Sequence, residues 1–157
     1  MRIVKKILVF LLLVLILMQF FQPEKNHSDT TPPTDIIMTL HPSEEVEAIL
    51  TNACYDCHSN NTNYPWYANV APVSYWLNDH IEDGKRKLDF SKWDSYSDKR
   101  KSHKLEEVIE LVRDRHMPLD SYTWMHPEAK LTDDQINQLI AWADREMATF
   151  SISGQPQ

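Results

Sequence analysis

Glycine and cysteine are both scarce in this chain. Only two glycines, Gly84 and Gly154, occur among its 157 residues, so no glycine-rich loop is available to hold a nucleotide phosphate. The only cysteines are Cys54 and Cys57, and no further C-x-x-C or H-x-x-x-H pair follows to complete a common four-ligand zinc site. No internal repeat is visible. These absences argue against a nucleotide-binding enzyme and against a structural zinc module.

Positive charge is also in short supply. The chain has 16 Lys and Arg against 23 Asp and Glu, a formal net charge of −7. Because a polyanion would be repelled by this balance, we expect no nucleic-acid partner. The hydrophobic fraction of 42%, with five Trp, six Tyr and five Phe, is sufficient for the core of one domain.

The two cysteines lie in the run Cys54-Tyr55-Asp56-Cys57-His58. A C-x-x-C-H run is typical of c-type haem attachment, in which two thiols add to the vinyl groups of one haem edge and the imidazole binds the iron. We therefore predict one covalent haem c, with Cys54 and Cys57 as attachment residues and His58 as proximal ligand. The alternatives are a dithiol or disulfide pair and a metal site. A thioredoxin-like dithiol pair follows a β-strand, whereas a helix is predicted before Cys54 in this chain.

Residues 54–77, CYDCHSNNTNYPWYANVAPVSYWL, resemble a known family. It is a small bacterial haem-binding domain family whose members carry a C-x-x-C-H-S motif, then N-x-x-x-x-P-W-Y and a Pro-Val-Ser-x-Trp-Leu segment. In looser form the resemblance reaches Met117-Pro118 and the helix from Thr132, so it covers most of residues 41–147. It implies a c-type haem domain exported across a membrane, and it implies no particular partner or reaction.

Residues 1–22 are predicted to be a signal anchor. Arg2, Lys5 and Lys6 precede the apolar run 7–21, and no small-x-small cleavage pattern follows it. We expect an uncleaved membrane helix that keeps its positive flank inside and holds the C-terminal part of the chain in the periplasm, at a bacterial inner membrane. A cleaved secretory signal is the alternative, and it leaves the compartment unchanged.

The rest of the chain is divided by composition. Residues 23–40 contain three prolines and a polar stretch, which predicts a disordered tether. Residues 41–150 are expected to form the haem-binding domain, and residues 151–157 a disordered tail.

The domain is predicted to be all-α, with the class I cytochrome c-like arrangement of helices around one haem. Ser43 is expected to cap its first helix, and Thr132 and Gln135 form a capping box before the last. In that arrangement the last helix crosses the first, with Ile140 and Trp142 as the expected contacts. Apolar residues at helical spacing predict four helices. The first leads into Cys54, the second covers 73–82, the third covers 105–116 and the last begins at Thr132. Residues 84–97 are expected to form a connection.

An Asn- and Pro-rich segment follows His58 and predicts a loop over one haem face. Trp66 and Tyr67 are expected to pack on the haem, or to fill the core. We also expect a backbone carbonyl of this loop to accept the Nδ1 proton of His58.

Met117 is the leading candidate for a sixth iron ligand. It precedes a proline in a predicted loop, and a loop thioether is a known axial ligand in cytochromes c. A core-filling methionine is the alternative, and an open sixth position also stays possible. The other candidate ligands are His80, His116, Met125 and His126.

Residues 99–104 form a basic cluster at the start of the helix before Met117. We expect a solvated face, with an acidic redox partner, a haem propionate or anionic lipid as alternative contacts.

These observations favour one-electron transfer by a six-coordinate haem, with a redox partner protein and no catalytic residue. The alternative function is ligand binding, sensing or peroxidase-like chemistry at an open sixth site. A non-haem dithiol protein is the third hypothesis.

Overall fold

The computed structural model describes the backbone of residues 1–153 and the side chains of residues 1–150. Within this range all regular structure is helical, which confirms the predicted all-α class. Short 3₁₀ turns at Trp66–Asn69, Phe90–Ser95 and Pro127–Ala129 connect the α-helices. The helices are α1 (Arg2–Met18), α2 (Ile36–Leu40), α3 (Glu44–Ala53), α4 (Tyr55–His58), α5 (Val73–Lys87), α6 (Asp98–Arg113), α7 (Asp120–Thr123) and α8 (Asp133–Ser153).

The predicted helix caps are present. The Ser43 hydroxyl accepts a hydrogen bond from the Val46 amide and so begins α3. Ahead of α8, the Gln135 amide donates to the Thr132 hydroxyl at 3.2 Å, and the Thr132 amide donates to the Gln135 side chain at 2.9 Å. This reciprocal pair is a capping box, so the start of α8 follows from local sequence.

The core lies between α3, α6 and α8. Helix α8 packs chiefly along α6 and also contacts α3. Trp142, which is 3% exposed, shares this core with Val46 and Leu50, whereas Ile140 is only partly buried at its edge. Helix α8 therefore contacts α3, the first helix of the predicted domain, as expected. Most of the buried face of α8 nevertheless packs against α6.

The predicted connection at 84–97 belongs largely to the core. Helix α5 continues past the predicted end of 73–82 to Lys87. Phe90 and Trp93, in the 3₁₀ turn that follows, are almost fully buried. The connection was mispredicted because a single 3₁₀ turn is too short to show an apolar period.

The basic cluster at 99–104 lies inside α6, which begins seven residues before the predicted 105–116 helix. Lys101 is buried and its ammonium lies 3.3 Å from the Asp94 carboxylate. The Lys104 ammonium lies 2.6 Å from Glu107. The cluster is thus not a uniformly solvated face, because part of its charge is paired within the chain.

The segment predicted as a tether, residues 23–40, differs most from expectation. Asp35 and Ile36 are each 1% exposed, and they open α2 inside the core. The Asn26 side chain donates to the Ser59 carbonyl and the Thr62 hydroxyl at 2.7 and 2.8 Å. This segment is packed against the loop that follows His58, so it is ordered rather than a free tether.

Helix α1 ends at Met18 after 17 residues. At about 1.5 Å per residue it is shorter than the roughly 30 Å hydrocarbon core of a bilayer. None of the helices in residues 1–153 is long and apolar enough to cross a membrane. The prediction of a signal anchor that makes the chain a single-pass protein of a bacterial inner membrane is therefore wrong.

The two ends of the chain also differ from the predicted boundaries. Just after α1, the Gln19 side chain exchanges two hydrogen bonds with the backbone of Ala71, at 3.0 and 3.2 Å. The predicted tail, 151–157, begins within α8, which continues to Ser153. Residues 154–157 of that tail lie outside the described part of the chain.

Candidate functional site

The C-x-x-C-H run forms a single helical turn, α4, directly after α3. Cys54 is the residue between the two helices, and its amide donates to the Leu50 carbonyl at 3.0 Å. The His58 amide donates back to the Cys54 carbonyl, also at 3.0 Å. Both thiols are free and partly accessible. The turn therefore presents Cys54, Cys57 and His58 together from one short, hydrogen-bonded unit.

The His58 imidazole is held by the end of helix α5. Its Nδ1 lies 3.1 Å from the Gly84 carbonyl oxygen and 3.0 Å from the Leu88 carbonyl oxygen. Because a carbonyl only accepts, Nδ1 must carry the proton, and Nε2 is left as the unprotonated nitrogen. The prediction that a carbonyl of the loop after His58 would do this is wrong, since both carbonyls come from the region that was predicted as a connection.

Burial keeps His58 neutral. Desolvation lowers the pKa of the imidazole, and the hydrogen bonds to the Leu88 and Gly84 carbonyls oppose this only in part. A neutral imidazole with a fixed tautomer is the form that binds a metal.

Gly84 allows helix α5 to approach α4, the turn that carries Cys57 and His58. A Cβ atom at this position would lie 2.5 Å from the Cys57 carbonyl oxygen and 3.2 Å from Cys57 Cβ. No side chain fits in that space, so a glycine is required by close approach of two backbones. Sequence analysis noted Gly84 only as a scarce residue and missed this role.

A central cleft opens in front of His58. It consists of two adjoining spaces of ≈ 250 and ≈ 480 Å³, and Cys54, His58, Lys87 and Met117 line both of them. Met117 lies between α6 and α7, as predicted. The structure thus brings the predicted thiol, imidazole and thioether to one cleft.

A third space, of ≈ 340 Å³, is referred to below as the side chamber. Trp66 and Tyr67 line it, and it meets the central cleft at Cys57 and Tyr122. Neither His58 nor Met117 lines the side chamber. The two aromatic residues predicted to pack on a haem therefore lie at the Cys57 edge of the central cleft and not across from His58.

The other candidate sixth ligands are distributed unevenly. His80 lines both the central cleft and the side chamber, with its Nδ1 2.9 Å from the Trp76 carbonyl oxygen. Met125 and His126 line only the side chamber among these spaces, and His116 is exposed and lines neither. Met117 is the candidate that shares both parts of the central cleft with His58.

The thiols do not have the acidity of a redox-active pair. Burial, together with Cys57, raises the pKa of the Cys54 thiol to about 12. Burial and the Asp56 charge raise the pKa of Cys57 to about 11. Reactive C-x-x-C pairs instead have a lowered pKa, which makes a thiolate at neutral pH. The surroundings therefore disfavour the dithiol alternative.

A hydrogen bond joins α4, the turn that carries Cys57 and His58, to the segment that follows Met117. The Tyr122 hydroxyl donates to Asp56 Oδ2 at 2.7 Å, and the Asn63 amide donates to Asp56 Oδ1 at 2.8 Å. Asp56 lies between the two cysteines and Tyr122 lies in α7. Neither residue was predicted to contribute, because the variable positions of a C-x-x-C-H run carry no constraint from the haem chemistry.

A buried carboxyl group, that of Asp35, is hydrogen-bonded to Tyr55 of α4. Asp35 accepts hydrogen bonds from the Tyr55 hydroxyl, from the Ile37 amide at 3.0 Å and from the Ser91 hydroxyl at 3.3 Å. Burial raises the pKa of Asp35, and the nearby Asp89 adds to this, while the three donors lower it. Asp35 thereby ties the segment before α2 to the turn that carries the cysteines.

Comparison with known families matches residues 13–145 to the haem-binding domain family. No curated protein and no solved structure matches this chain. The family match covers most of the chain, and it agrees with the resemblance carried by residues 54–77. The chain therefore belongs to the haem-binding domain family.

Proposed function

We propose that this haem-binding protein carries one haem c, bound covalently through Cys54 and Cys57, and that it transfers single electrons. His58 is the proximal ligand through Nε2, and Met117 is the sixth ligand. The observation that carries the proposal is the orientation of His58, whose Nδ1 is engaged by two backbone carbonyls. Such a histidine has one nitrogen free to bind iron, and His58 lines the same cleft as both cysteines and Met117.

The residues of the central cleft fit a haem in both shape and chemistry. Apolar side chains line its larger part, and they suit a porphyrin ring. Lys87 lies in the same lining and is suited to pair with a propionate, whereas Lys104 is already paired with Glu107. The apolar lining residues include Leu50, Leu88, Phe90 and Leu111.

The protein's part in this function is to bind, orient and exclude water. When bound, the haem supplies a one-electron Fe(III)/Fe(II) couple. Gly84 and Leu88 fix the plane of His58, and Asp56 and Tyr122 hold the Met117 side against α4. This is a class I cytochrome c-like arrangement, with a redox partner protein as the acceptor. No residue acts as a catalyst in it.

The test of covalent attachment is an absorption spectrum of the full chain, produced in a host able to attach c-type haem. We expect a sharp α-band on reduction by dithionite, and colour that stays with the protein on acid-acetone extraction. A Cys54→Ser/Cys57→Ser variant is the control, and its colour should be extracted. A colourless, folded wild-type protein would refute the proposal.

The test of the sixth ligand is Met117→Ala. We expect this variant to lose the sulfur-to-iron charge-transfer band of the oxidised protein and to bind carbon monoxide when reduced. Met125→Ala is the matched control, because Met125 lines only the side chamber, and its spectrum should match the wild type. Retention of the band in Met117→Ala would assign the ligand elsewhere, with His80 as the next candidate.

A further inference from the structure

The side chamber is an apolar space next to the expected haem edge. It meets the central cleft at Cys57, His80, Leu119 and Tyr122, whereas the iron lies between His58 and Met117 in the proposed function. A haem held by those two residues would occupy the cleft that they line, and the side chamber, which neither of them lines, would lie beside it. The chamber's ≈ 340 Å³ is the size of a small-molecule site.

The walls of the chamber select for an apolar, ring-shaped ligand. Most of their exposed surface is apolar, although Asp56, Thr62, Asn63 and Ser121 also line the chamber. Trp66 is 78% exposed and Trp76 is 49% exposed, so large aromatic surfaces remain open to solvent here. Indole faces of this kind stack against a flat ring. The aliphatic walls are Val73, Leu77, Ile81 and Leu119.

Polar groups converge at one place in the chamber lining. The Tyr67 hydroxyl lies 3.0 Å from His126 Nε2, and His126 Nδ1 lies 3.2 Å from Glu128 Oε1. The carboxylate only accepts, so Nδ1 of neutral His126 carries the proton and Nε2 accepts from Tyr67. Tyr122 stacks on the His126 ring at 4.5 Å and fixes its plane.

This chain of hydrogen bonds can move a proton from the chamber to solvent. Burial, with the charges of Asp56 and Glu128, raises the pKa of Tyr67, which keeps its hydroxyl a donor to His126. The oxygen of Tyr67 still has lone pairs to accept a hydrogen bond from a ligand hydroxyl. A proton gained by His126 is balanced by Glu128, whose side chain is 63% exposed.

We propose that the side chamber binds a lipophilic hydroquinone, which donates electrons to the haem. The inference rests on the proposed function. One O–H bond of the hydroquinone breaks. Its proton passes to the Tyr67 oxygen while the Tyr67 proton passes to His126 Nε2, and its electron passes across the Cys57 edge to ferric haem. The redox partner protein then re-oxidises the haem, and His126 releases its proton to solvent. A second turnover removes the second proton and electron and releases the quinone, so the haem is reduced twice for each hydroquinone oxidised.

A hydroquinone is the class that uses every feature of the chamber. Its ring suits the apolar walls, and its hydroxyl suits Tyr67. A hydroxyl that loses an electron also loses its proton, so an acceptor pair such as Tyr67 and His126 is needed beside a one-electron oxidant. A saturated lipid or an apolar peptide side chain would leave that pair without a role.

Binding is tested first, by calorimetric titration of the full chain with tetramethylbenzoquinone. We expect saturable binding, and we expect Val73→Trp to abolish it, because Val73 lines the chamber and is partly exposed, so added bulk closes the space without straining the core. Absence of saturable binding, or binding that survives Val73→Trp, would overturn the proposal. Because the heat of binding and the reduced α-band are measured separately on the same protein, loss of haem attachment and loss of the quinone site are distinct results.

Proton transfer is tested by stopped-flow reduction of the ferric protein. Tetramethylhydroquinone is compared with hexaammineruthenium(II), which delivers an electron and no proton. Tyr67→Phe keeps the ring and removes the hydroxyl, so the rate with tetramethylhydroquinone divided by the rate with hexaammineruthenium(II) should fall by about 100-fold or more. The hydroquinone reaction should also lose its solvent deuterium isotope effect.

The matched control for this experiment is Tyr75→Phe. Tyr75 lies on α5 outside the chamber lining, and its hydroxyl donates to the Phe21 carbonyl. The ratio of rates should therefore equal that of the wild type. An unchanged ratio in Tyr67→Phe, or an equal fall in Tyr75→Phe, would contradict the relay.

Discussion

Two sides of the central cleft are held by different kinds of contact. The His58 side is fixed by backbone: two carbonyls engage the imidazole, and Gly84 lets α5 touch Cys57. On the Met117 side, the Met117 amide donates to the Leu111 carbonyl at 3.1 Å, but the hydrogen bond that joins α7 across the cleft to α4 is a side-chain bond, from Tyr122 to Asp56. Trp124 and Met125, in the same segment, are exposed. Backbone contacts restrict the position of His58 more than one side-chain bond restricts the segment after Met117. We therefore infer that the His58 side, here called the proximal side, determines haem attachment. The Met117 side, here called the distal side, influences how firmly the sixth ligand is bound.

The largest expected effect is on the proximal side, in Gly84→Ala. In an ordinary helix interior this change stabilises by about 1 kcal/mol. Here the new Cβ would lie against the Cys57 carbonyl, so we expect destabilisation of about 1–3 kcal/mol, as for overpacking. Chemical denaturation measures it. Glu82→Ala, at an exposed position of the same helix, should change stability by no more than about 0.5 kcal/mol. A more stable Gly84→Ala protein would show that the two backbones need not approach.

On the distal side we expect a smaller effect, in Tyr122→Phe. The variant loses one hydrogen bond to a carboxylate, which is worth about 0.5–1.5 kcal/mol. Because this bond holds the segment after Met117, imidazole should displace the sixth ligand with an affinity raised by up to about tenfold. Spectral titration of the ferric protein measures the affinity.

Asp56→Asn is the control for Tyr122→Phe. It removes the charge, its oxygen still accepts from the Asn63 amide, and its NH2 group can donate to the Tyr122 hydroxyl. Its imidazole affinity should stay near the wild-type value. If Tyr122→Phe also left the affinity unchanged, the hydrogen bond would have no influence on the distal side.

The smallest expected effect concerns Asp35, behind the proximal turn. Burial raises the pKa of Asp35 above its ordinary value of about 3.9. Between these two values the folded state binds more protons than the unfolded state, so this contribution to stability is complete below about pH 3.9 and is lost as pH rises through the raised pKa. Asp35→Asn keeps an acceptor for Tyr55 and removes the titration. The free energy of unfolding of the wild type, relative to that of Asp35→Asn, should therefore fall with rising pH. A difference that does not change with pH would contradict the raised pKa of Asp35.

Local signals in the sequence predicted part of this architecture. The capping box of Thr132 and Gln135 and the cap at Ser43 depend on neighbours within a few residues. Short-range chemistry of this kind fixes where α3 and α8 begin, whereas the helical turn α4 was not predicted.

The remaining features depend on distant pairs. Gly84 matters because α5 lies against Cys57, and Asp35 is buried because Tyr55 and Ser91 supply its donors. Residues 23–40 were predicted as a tether because a five-residue helix and three prolines show no period. A membrane-spanning helix was predicted over residues 1–22 because the basic flank and the apolar run 7–21 were read as one segment, whereas α1 ends at Met18 after 17 residues.

The most direct test of the central claim is mass spectrometry of the purified full chain and of its proteolytic peptides. We predict that the intact mass exceeds that of the sequence by one haem, and that the added mass stays on the peptide containing Cys54 and Cys57 after denaturation. An unmodified mass, with haem released on unfolding, would contradict covalent attachment and leave a haem held by ligation alone.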